Sequence, residues 1–337
     1  MLCWVAVLLA VPAIRAGADE PQPLDRRETL EYDPQKGEWI EEAPAVPGTP
    51  EGDLRLARAA FSREEHRRAL KMARRWIKEY GEAHDLYPRA LLLECRAMIA
   101  LRDYYKAHRK LDPFLNEYAG TEYANEAVTL EFVVAEVFLS GTKRKFLGIR
   151  FLKADDLALK ILDDLSASYR DRDIAELATW TKARYYFRTG DFPIAEQEFN
   201  FLIQEFPRSR YARPAMLYSA RSALANFAGV RFDEAPLIEA EERFGRYVAL
   251  YPGSAEQEGV GVTLEQIAEQ RAEKELTVGK YYEKTGHHDA AVFYYRSTIQ
   301  HWPDSIAAVH AADRLVALGE MSPPALLDEG DAEQVDG

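Results

Sequence analysis

Basic residues recur at one position of a repeated sequence pattern, and this residue type is suited to carboxylate recognition. The recurring residues are Arg58, Arg96, Arg184, Arg221 and Lys280. Arg188 and Lys284 each follow a member of this set by four residues, which places them on the same face of a helix. Because arginine forms bidentate hydrogen bonds to carboxylates, the set could clamp the carboxylates of an extended peptide.

The same cations could instead be neutralised inside the protein. Glutamates of a neighbouring repeat would then form surface ion pairs with them, and such pairs contribute little to stability. One repeat breaks the pattern, since it carries Glu136 at the basic position. The pattern leaves both interpretations open, a free basic stripe and a stripe of ion pairs.

The remaining polar residues do not indicate catalysis. His287 and His288 fall in an expected turn, and the other five histidines lack metal-ligand spacing. The sequence has no Gly-rich phosphate loop, zinc-protease motif or nucleophile elbow. The pairs Asp155-Asp156 and Asp163-Asp164 are interpreted as solvated helix faces. We therefore expect no enzymatic activity, no metal and no cofactor.

Six copies of one interval predict the helices that position the basic residues. In each copy an alanine is followed eleven residues later by an aromatic residue. The pairs are Ala69 and Tyr80, Ala107 and Tyr118, Ala158 and Tyr169, Ala195 and Phe206, Ala240 and Tyr251, and Ala291 and Trp302. This interval is typical of the second helix of a helical hairpin, and its repetition indicates a stacked array. We predict an all-α solenoid of about six tetratricopeptide-like hairpins over residues 53–318.

A small residue precedes each basic position and predicts where the two helices of a hairpin approach. The small residues are Ala57, Cys95, Ala183, Ala220 and Gly279. Cys95 is accordingly expected to be a packing residue and not a nucleophile. In a tetratricopeptide array the next position faces the inner, concave groove. The predicted peptide-binding groove comprises Arg58, Arg96, Trp180, Arg184, Arg188 and Arg221.

The composition and the N-terminus favour an exported protein. Of the 337 residues, 29% are charged and 47% hydrophobic, as expected for a folded soluble protein. The net charge of −13 argues against general nucleic-acid binding. Residues 2–14 are apolar, and Ala16-Gly17-Ala18 offers a cleavage site, so residues 1–18 are predicted to be a signal peptide.

Three segments outside the repeat pattern have compositions of their own. Residues 19–52 are rich in proline and acid and are predicted to be an extended tether. Residues 319–337 are predicted to be a disordered acidic tail. The insertion 143–153 alternates Lys and Arg with apolar residues. It could rest on an anionic membrane surface, or it could pack its apolar residues on the array.

Several stretches resemble the BamD family, the tetratricopeptide component of the outer-membrane β-barrel assembly machinery. The resemblance covers about residues 53–318. It is clearest at Ala272-Glu273, Glu275-Leu276, Val278, Tyr281-Tyr282 and Gly286, and in the stretches TGDFPIAEQEFNFLIQEFPRSRYA and YRSTIQHWPDS.

This resemblance implies a periplasmic adaptor associated with the outer membrane. The N-terminal repeats of the family receive the C-terminal segments of unfolded barrel proteins, which carries over to the groove around Arg58 and Arg96. The C-terminal repeats dock the barrel-forming partner, which carries over to the hairpin of residues 269–302. The docking residues implied there are Gln270, Arg271, Lys280, Tyr281 and Lys284.

The sequence departs from the family at its membrane anchor and leaves a second function open. Family members carry lipid on a first cysteine, whereas Cys3 precedes the apolar run. A partner or the 143–153 insertion could tether the chain, the start codon could be misassigned, or the chain could be a soluble relative. The alternative function is a cell-envelope scaffold that coordinates peptidoglycan or polysaccharide machinery.

Overall fold

The computed structural model defines which parts of the chain can be described. These are residues 30–33, 38–41, 45–146, 149–230 and 232–322. The predicted signal peptide, much of the predicted tether and the acidic tail after residue 322 lie outside the described residues.

Helices dominate the described ranges and follow one another in antiparallel order. Their bounds are α1 (Pro50–Ser62), α2 (His66–Tyr80), α3 (Tyr87–Ala100), α4 (Tyr104–Glu117), α5 (Glu122–Leu139), α6 (Asp155–Ser168), α7 (Asp173–Thr189), α8 (Phe192–Glu205), α9 (Ala212–Ala225), α10 (Ala235–Leu250), α11 (Pro252–Gln257), α12 (Val260–Lys284), α13 (His288–His301) and α14 (Ile306–Ala317). Six hairpins result: α1–α2, α3–α4, α5–α6, α7–α8, α9–α10 and α12–α13. The helix α14 packs on the last hairpin. The predicted all-α solenoid of helical hairpins is confirmed.

The repeated interval corresponds to the second helix of every hairpin. Each repeat alanine is fully buried. Each aromatic partner lies at the C-terminal end of its helix, as Tyr80 does in α2 and Trp302 does after α13. Gly190 ends α7 with a φ of 86°, the left-handed conformation that favours glycine. The aromatic residue thus marks the end of each second helix, whereas Gly190 ends a first helix, α7.

The small residues of the first helices lie where predicted, in the core between the two helices of a hairpin. Ala57, Ala183 and Ala220 are fully buried. Cys95 is also fully buried, and burial raises the pKa of its thiol to about 12. A thiol with so high a pKa is protonated at neutral pH, so Cys95 acts as a packing residue.

The first helices of the hairpins lie along one side of the array, and the second helices lie along the other. Helices α1, α3, α5 and α7 contact one another in order along the array. Open clefts separate the second helices, with one cleft between α4 and α6 and another between α6 and α8. We call the side of the first helices the inner face and the side of the second helices the outer face.

Two β-hairpins accompany the helices. Strands β1 (Leu30–Asp33) and β2 (Glu38–Glu41) pair antiparallel, as do β3 (Arg144–Phe146) and β4 (Ile149–Leu152). The first pair lies inside the segment predicted to be an extended tether. Its strands are rich in aromatic and apolar residues, and the turn formers Pro34 and Gly37 lie between them.

The array also begins three residues before the predicted position 53, because Thr49 caps α1. Its side-chain oxygen accepts a hydrogen bond from the Gly52 backbone N–H at 3.1 Å. Pro50 occupies the first turn of α1, where its fixed φ favours the helix and its missing N–H costs nothing.

Buried charges join neighbouring hairpins on the outer side of the core. The carboxylate of Glu94 is 2% exposed and lies between two second helices. It accepts a hydrogen bond from Arg74 Nε of α2 at 2.9 Å and forms an ion pair with Lys110 Nζ of α4 at 2.9 Å. Lys182 of α7 reverses the charges, since its ammonium contacts a carboxylate of α6 and one of α8. These bridges fix the register of one hairpin on the next.

Gly279 leaves no room for a side chain, which gives a first prediction. A Cβ there would lie 2.6 Å from Tyr295 Cε1. Tyr295 is buried and its hydroxyl donates to Glu283 at 2.7 Å, so the ring cannot shift freely. We expect Gly279→Ala to lower the free energy of unfolding by about 1–3 kcal/mol. Urea denaturation followed by circular dichroism measures the change.

The matched control is Gly245→Ala in α10. Gly245 is exposed and has no atom within 4 Å of its added Cβ. Helix propensity alone then predicts a gain of about 0.5–1 kcal/mol. If both substitutions stabilised the protein equally, the close approach at Gly279 would be contradicted.

Glu283 holds α14 on the last hairpin and predicts a pH dependence. Hydrogen bonds from Arg314 and then from Tyr295 lower the pKa of Glu283 below its ordinary value of 4.5. A carboxyl group whose pKa is lowered by folding stabilises the protein above the unfolded pKa and loses that effect as the pH falls. We expect hydrogen-exchange protection of α14 to decrease as the pH falls below 4.5, and Glu283→Gln to weaken this dependence.

Glu320→Gln serves as the comparison, since Glu320 pairs with Arg296 at 2.9 Å on the exposed surface. This variant should keep the pH dependence of the wild type. An unchanged pH profile in Glu283→Gln would show that Glu283 does not control α14.

Candidate functional site

A groove crosses the inner face at the middle of the array. It has a volume of about 720 Å³ and lies between α5, α7 and α9. Its walls combine aromatic rings with two arginines, and the residues concerned are Trp180, Arg184, Phe187, Arg188, Tyr211 and Tyr218. Three of the predicted groove residues, Trp180, Arg184 and Arg188, therefore meet at one place. We call this region the central groove.

Aromatic rings form the floor of the central groove. Trp180 stacks on Tyr211 with ring centroids 5.4 Å apart and an angle of 17° between the planes. Tyr218 meets Trp180 edge-on at 5.7 Å and Phe187 edge-on at 5.1 Å. Trp180, Tyr211 and Tyr218 are half-buried, so their faces stay accessible while their positions are fixed. Fixed rings of this kind bind apolar side chains at little cost in conformational entropy.

Two arginines of α7 supply positive charge to the groove. Arg184 and Arg188 are exposed, and neither forms an ion pair within the described part of the chain. The Arg184 guanidinium lies 5.7 Å from the centroid of Trp180. Arg188 lies 5.7 Å from the centroid of Tyr185 and donates a hydrogen bond to the Leu139 carbonyl at 2.8 Å. Both groups keep donors available for a carboxylate or a backbone carbonyl.

The opposite wall moderates this charge. Glu136 of α5, the acidic exception to the basic pattern, lines the same groove. Burial raises the pKa of Tyr185, and the nearby Asp155 raises it further, so the phenol is neutral at physiological pH. The groove therefore carries two guanidinium groups, one carboxylate and a neutral hydroxyl, and its balance is positive.

Other members of the predicted stripe have partners in neighbouring repeats. Arg96 pairs with Glu126 at 2.6 Å, and Arg221 with Glu258 at 3.1 Å. For these two residues the interpretation as intramolecular ion pairs holds. Arg58 is exposed on α1, and no ion pair to it is found among the described residues.

Tyr211 and Tyr218 belong to the site although the sequence analysis did not identify them. They lie seven residues apart, at the start and in the middle of α9, and seven residues are two helical turns. This spacing places both rings on the face that α9 turns toward α7. The seven-residue spacing is visible in the sequence, but the direction in which that face points depends on how α9 packs.

The predicted docking residues divide into an exposed group and an internal group. Tyr281 is 62% exposed, and Lys280 and Lys284 are exposed beside it near the end of α12. Arg271 instead points inward, forms an ion pair with Glu241 and lies 5.4 Å from the centroid of Trp302.

Gln270 is partly buried as well, and its side-chain oxygen has no hydrogen-bond partner within the described ranges. The exposed end of α12 is therefore the accessible part of the predicted docking surface, and Gln270 and Arg271 lie behind it.

The described ranges contain neither a metal-binding cluster nor a membrane-spanning helix. There, no three His, Cys, Asp or Glu side chains are grouped so that they could hold a metal ion. No helix in these ranges combines the length and the hydropathy needed to span a bilayer.

The chain is similar over most of its length to several solved structures, which include two tetratricopeptide repeat proteins. The C-terminal part of a TPR repeat-containing protein from Cytophaga hutchinsonii is 11% identical, covering 79% of this chain and 88% of that one with a TM-score of 0.41. A tetratricopeptide repeat protein from Parabacteroides merdae is 12% identical, covering 78% and 96% with a TM-score of 0.38. PilW, a type IV pilus biogenesis factor, is 14% identical, covering 79% and 99% with a TM-score of 0.31.

The sequence itself gives the more specific match. No curated protein sequence is significantly similar to the chain. The family model of YfiO, described as an outer membrane lipoprotein, matches residues 152–321, which is half of the chain. The matched region includes α7 with Arg184 and Arg188, and the C-terminal hairpin with Tyr281. The chain therefore belongs to the YfiO family of outer membrane lipoproteins.

Proposed function

We propose that this protein is a non-catalytic periplasmic adaptor in the assembly of outer-membrane β-barrel proteins. It binds extended segments of unfolded barrel proteins in the central groove and docks a barrel-forming partner through the end of α12. The proposal rests on two arginines above an aromatic floor, on the inner face of an array from an outer membrane lipoprotein family, and neither arginine has an ion pair among the described residues.

The chemistry of the central groove fits an extended peptide. Trp180, Tyr211 and Tyr218 offer apolar surface to the aromatic and aliphatic side chains that alternate along a barrel strand. Arg184 and Arg188 lie one helical turn apart and can hydrogen-bond a peptide carboxylate or successive carbonyls. An unfolded strand has unpaired backbone groups, so fixed donors beside a fixed apolar floor recognise it without requiring a particular sequence.

We place the proposed client site at the middle of the array, and not at its first repeats. The resemblance implied the first repeats, around Arg58 and Arg96, but Arg96 is already paired with Glu126. A client carboxylate would have to displace Glu126 to reach Arg96, whereas Arg184 and Arg188 need no such exchange. We therefore assign the main client contacts to α7 and α9.

The exposed end of α12 fits a second partner. Tyr281 presents an aromatic ring between Lys280 and Lys284, and aromatic residues rimmed by charge are common anchors of protein interfaces. Because this surface lies on the hairpin that follows α9, outside the central groove, a barrel-forming partner and a client can bind at the same time.

The outer membrane is the proposed location. The proposal also includes a membrane contact through the 143–153 insertion, since Lys145 and Arg150 are directly paired residues of the β3–β4 hairpin. Paired cations on one short hairpin would favour an anionic surface.

The client site is tested with a peptide that corresponds to the last strand of an outer-membrane barrel protein. Binding is measured by fluorescence anisotropy of the labelled peptide. We expect saturable binding that Arg184→Glu or Arg188→Glu weakens by about tenfold or more, because each substitution removes a charge-assisted hydrogen bond and adds repulsion.

Arg246→Glu is the control, since Arg246 lies on the exposed surface of α10 with only a local pair to Glu242 at 3.4 Å. This variant should bind like the wild type. If Arg58→Glu weakened binding while Arg184→Glu did not, the client site would lie at the first repeats. Unchanged affinity in all these variants would remove the groove from the proposal.

The docking surface is tested separately by co-purification from solubilised envelopes. We expect the double substitution Tyr281→Ala and Lys284→Glu to reduce recovery of a large barrel-forming protein severalfold, because it removes an aromatic anchor and reverses a charge. Client-peptide affinity should stay unchanged. Recovery of cell-wall enzymes without a barrel protein would favour the envelope-scaffold alternative.

A further inference from the structure

Helix α2 carries a concentration of positive charge that neither the repeat pattern nor the proposed adaptor function uses. It contains six lysines and arginines and one glutamate, in a chain whose net charge is −13. The six exposed cations are Arg67, Arg68, Lys71, Arg74, Arg75 and Lys78. The charge of this helix is therefore opposite in sign to the charge of the whole chain.

Three of these cations point straight away from the array. The inward side of α2 packs on α1 and α3 through buried residues such as Ala69 and Trp76. At about 3.6 residues per turn, Arg67, Lys71 and Lys78 lie on the face directly across the helix from those two. Their side chains therefore meet whatever approaches the outer face of the first hairpin.

Helix α4, the next second helix, extends this surface with Arg109. Arg109 and Lys71 each lie two residues after the repeat alanine of their helix, and both are exposed. Asp112, one turn after Arg109, lines the cleft toward α6 instead. We call Arg67, Lys71, Lys78 and Arg109 the basic surface.

No member of the basic surface has an ion pair among the described residues, whereas the other cations of α2 are paired. The pairs are Arg68 with Glu65 at 2.8 Å, Arg74 with Glu94 at 2.9 Å and Arg75 with Glu79 at 3.2 Å. The paired cations lie on the flanks of α2, on either side of the outward face. The carboxylates that contact α2 are thus engaged on its flanks, and the outward charges stay available.

The turns at the two ends of α2 do not cancel this charge. Before the helix, Arg63 and Glu64 offset one another. After it, Glu82 and Asp85 lie in the loop that leads to α3, past the last turn of α2. Two carboxylates at one end leave the cations along the helix in excess.

The basic surface offers charge without apolar anchors. Large hydrophobic side chains that stay exposed on the described helices all lie at Ile194 or later in the chain. Protein interfaces take most of their binding energy from anchors buried in pockets, and lysine is depleted in them. A membrane of anionic lipids needs neither pocket nor anchor, because its phosphates meet each cation separately. This surface chemistry therefore favours a lipid surface over an acidic protein.

The charge of the rest of the chain selects one orientation at such a membrane. A chain with a net charge of −13 is repelled by an anionic surface unless a positive face comes first. Attraction extends only about 8 Å at physiological salt, so the cations must lie at the contact itself. Outward-pointing side chains on α2 and α4 meet this condition.

We propose that the basic surface docks the N-terminal end of the array on anionic phospholipid headgroups. Guanidinium and ammonium groups contact the headgroup phosphates, and the outer faces of α2 and α4 lie against the membrane. This inference rests on the proposed location at the outer membrane. It adds a contact outside residues 152–321, the part of the chain that the family model matches, and separate from the 143–153 insertion.

The test is co-sedimentation of the full chain with two kinds of lipid vesicle. One kind contains phosphatidylethanolamine and phosphatidylglycerol, and the other contains phosphatidylethanolamine and neutral phosphatidylcholine. We expect stronger binding to the anionic vesicles, and we expect the difference to disappear as the salt concentration is raised about tenfold. Binding through the apolar residues 2–14, which all variants keep, would be equal on both kinds of vesicle.

The decisive variant combines Arg67→Glu, Lys71→Glu and Lys78→Glu. We expect it to weaken binding to anionic vesicles by about tenfold or more, because three attractive charges become repulsive. All three residues are exposed, so the core is unchanged and the circular dichroism spectrum should match that of the wild type. Arg67→Lys, which keeps the charge, should bind like the wild type.

The matched control reverses three exposed arginines in the second half of the chain, Arg208→Glu, Arg246→Glu and Arg296→Glu. Its net charge changes by the same amount as in the decisive variant. Binding should stay within about twofold of the wild type, since only charges within a Debye length of the membrane contribute.

Three results would overturn the proposal. Equal weakening in the decisive variant and the control would show that net charge alone governs binding. Weakening only in Lys145→Glu with Arg150→Glu would assign the membrane contact to the insertion. Binding of poly-glutamate without binding of anionic vesicles would assign the surface to an acidic protein. The client-peptide titration contains no lipid, so the proposed adaptor function stands or falls separately.

Discussion

Each hairpin of this array depends on a close approach between its two helices, which a small residue of the first helix permits. At the last hairpin the approach is so close that a single added carbon at Gly279 would collide with Tyr295. Ala57, Cys95, Ala183 and Ala220 are buried at the equivalent positions. Because the helices are held together there, the next residue of the first helix points away from its partner helix and lies on the inner face. The basic positions are thus a geometric consequence of the packing.

What those basic positions do depends on their neighbours. Arg96 and Arg221 meet glutamates of the following repeat and are paired. Arg184 and Arg188 meet aromatic rings instead and keep their donors. The same repeat position therefore holds an ion-paired arginine in two hairpins and an arginine with available donors in another. Arg58 also has no ion pair among the described residues, but the aromatic floor lies beside Arg184 and Arg188, which is why we propose the client site at the middle of the array.

The fold was predictable because its signal is local and repeated. The alanine-to-aromatic interval and the small residues before the basic positions lie within one hairpin, and six copies reinforce one another. The contacts that define the sites cross between hairpins. Glu126 lies 30 residues from Arg96, and Glu258 lies 37 residues from Arg221. No local spacing reports such pairs, and the first β-hairpin was missed because its strands are only four residues long.

The most direct test of the account places a photo-activated cross-linking amino acid at Thr181 in living cells. Thr181 lines the central groove beside Trp180 and Arg184, and Gln197 on the outer side of α8 provides a comparison site. The account predicts cross-links from position 181 to unfolded outer-membrane barrel proteins and none from position 197. Equal cross-linking at both positions, or adducts only to cell-wall enzymes, would contradict it.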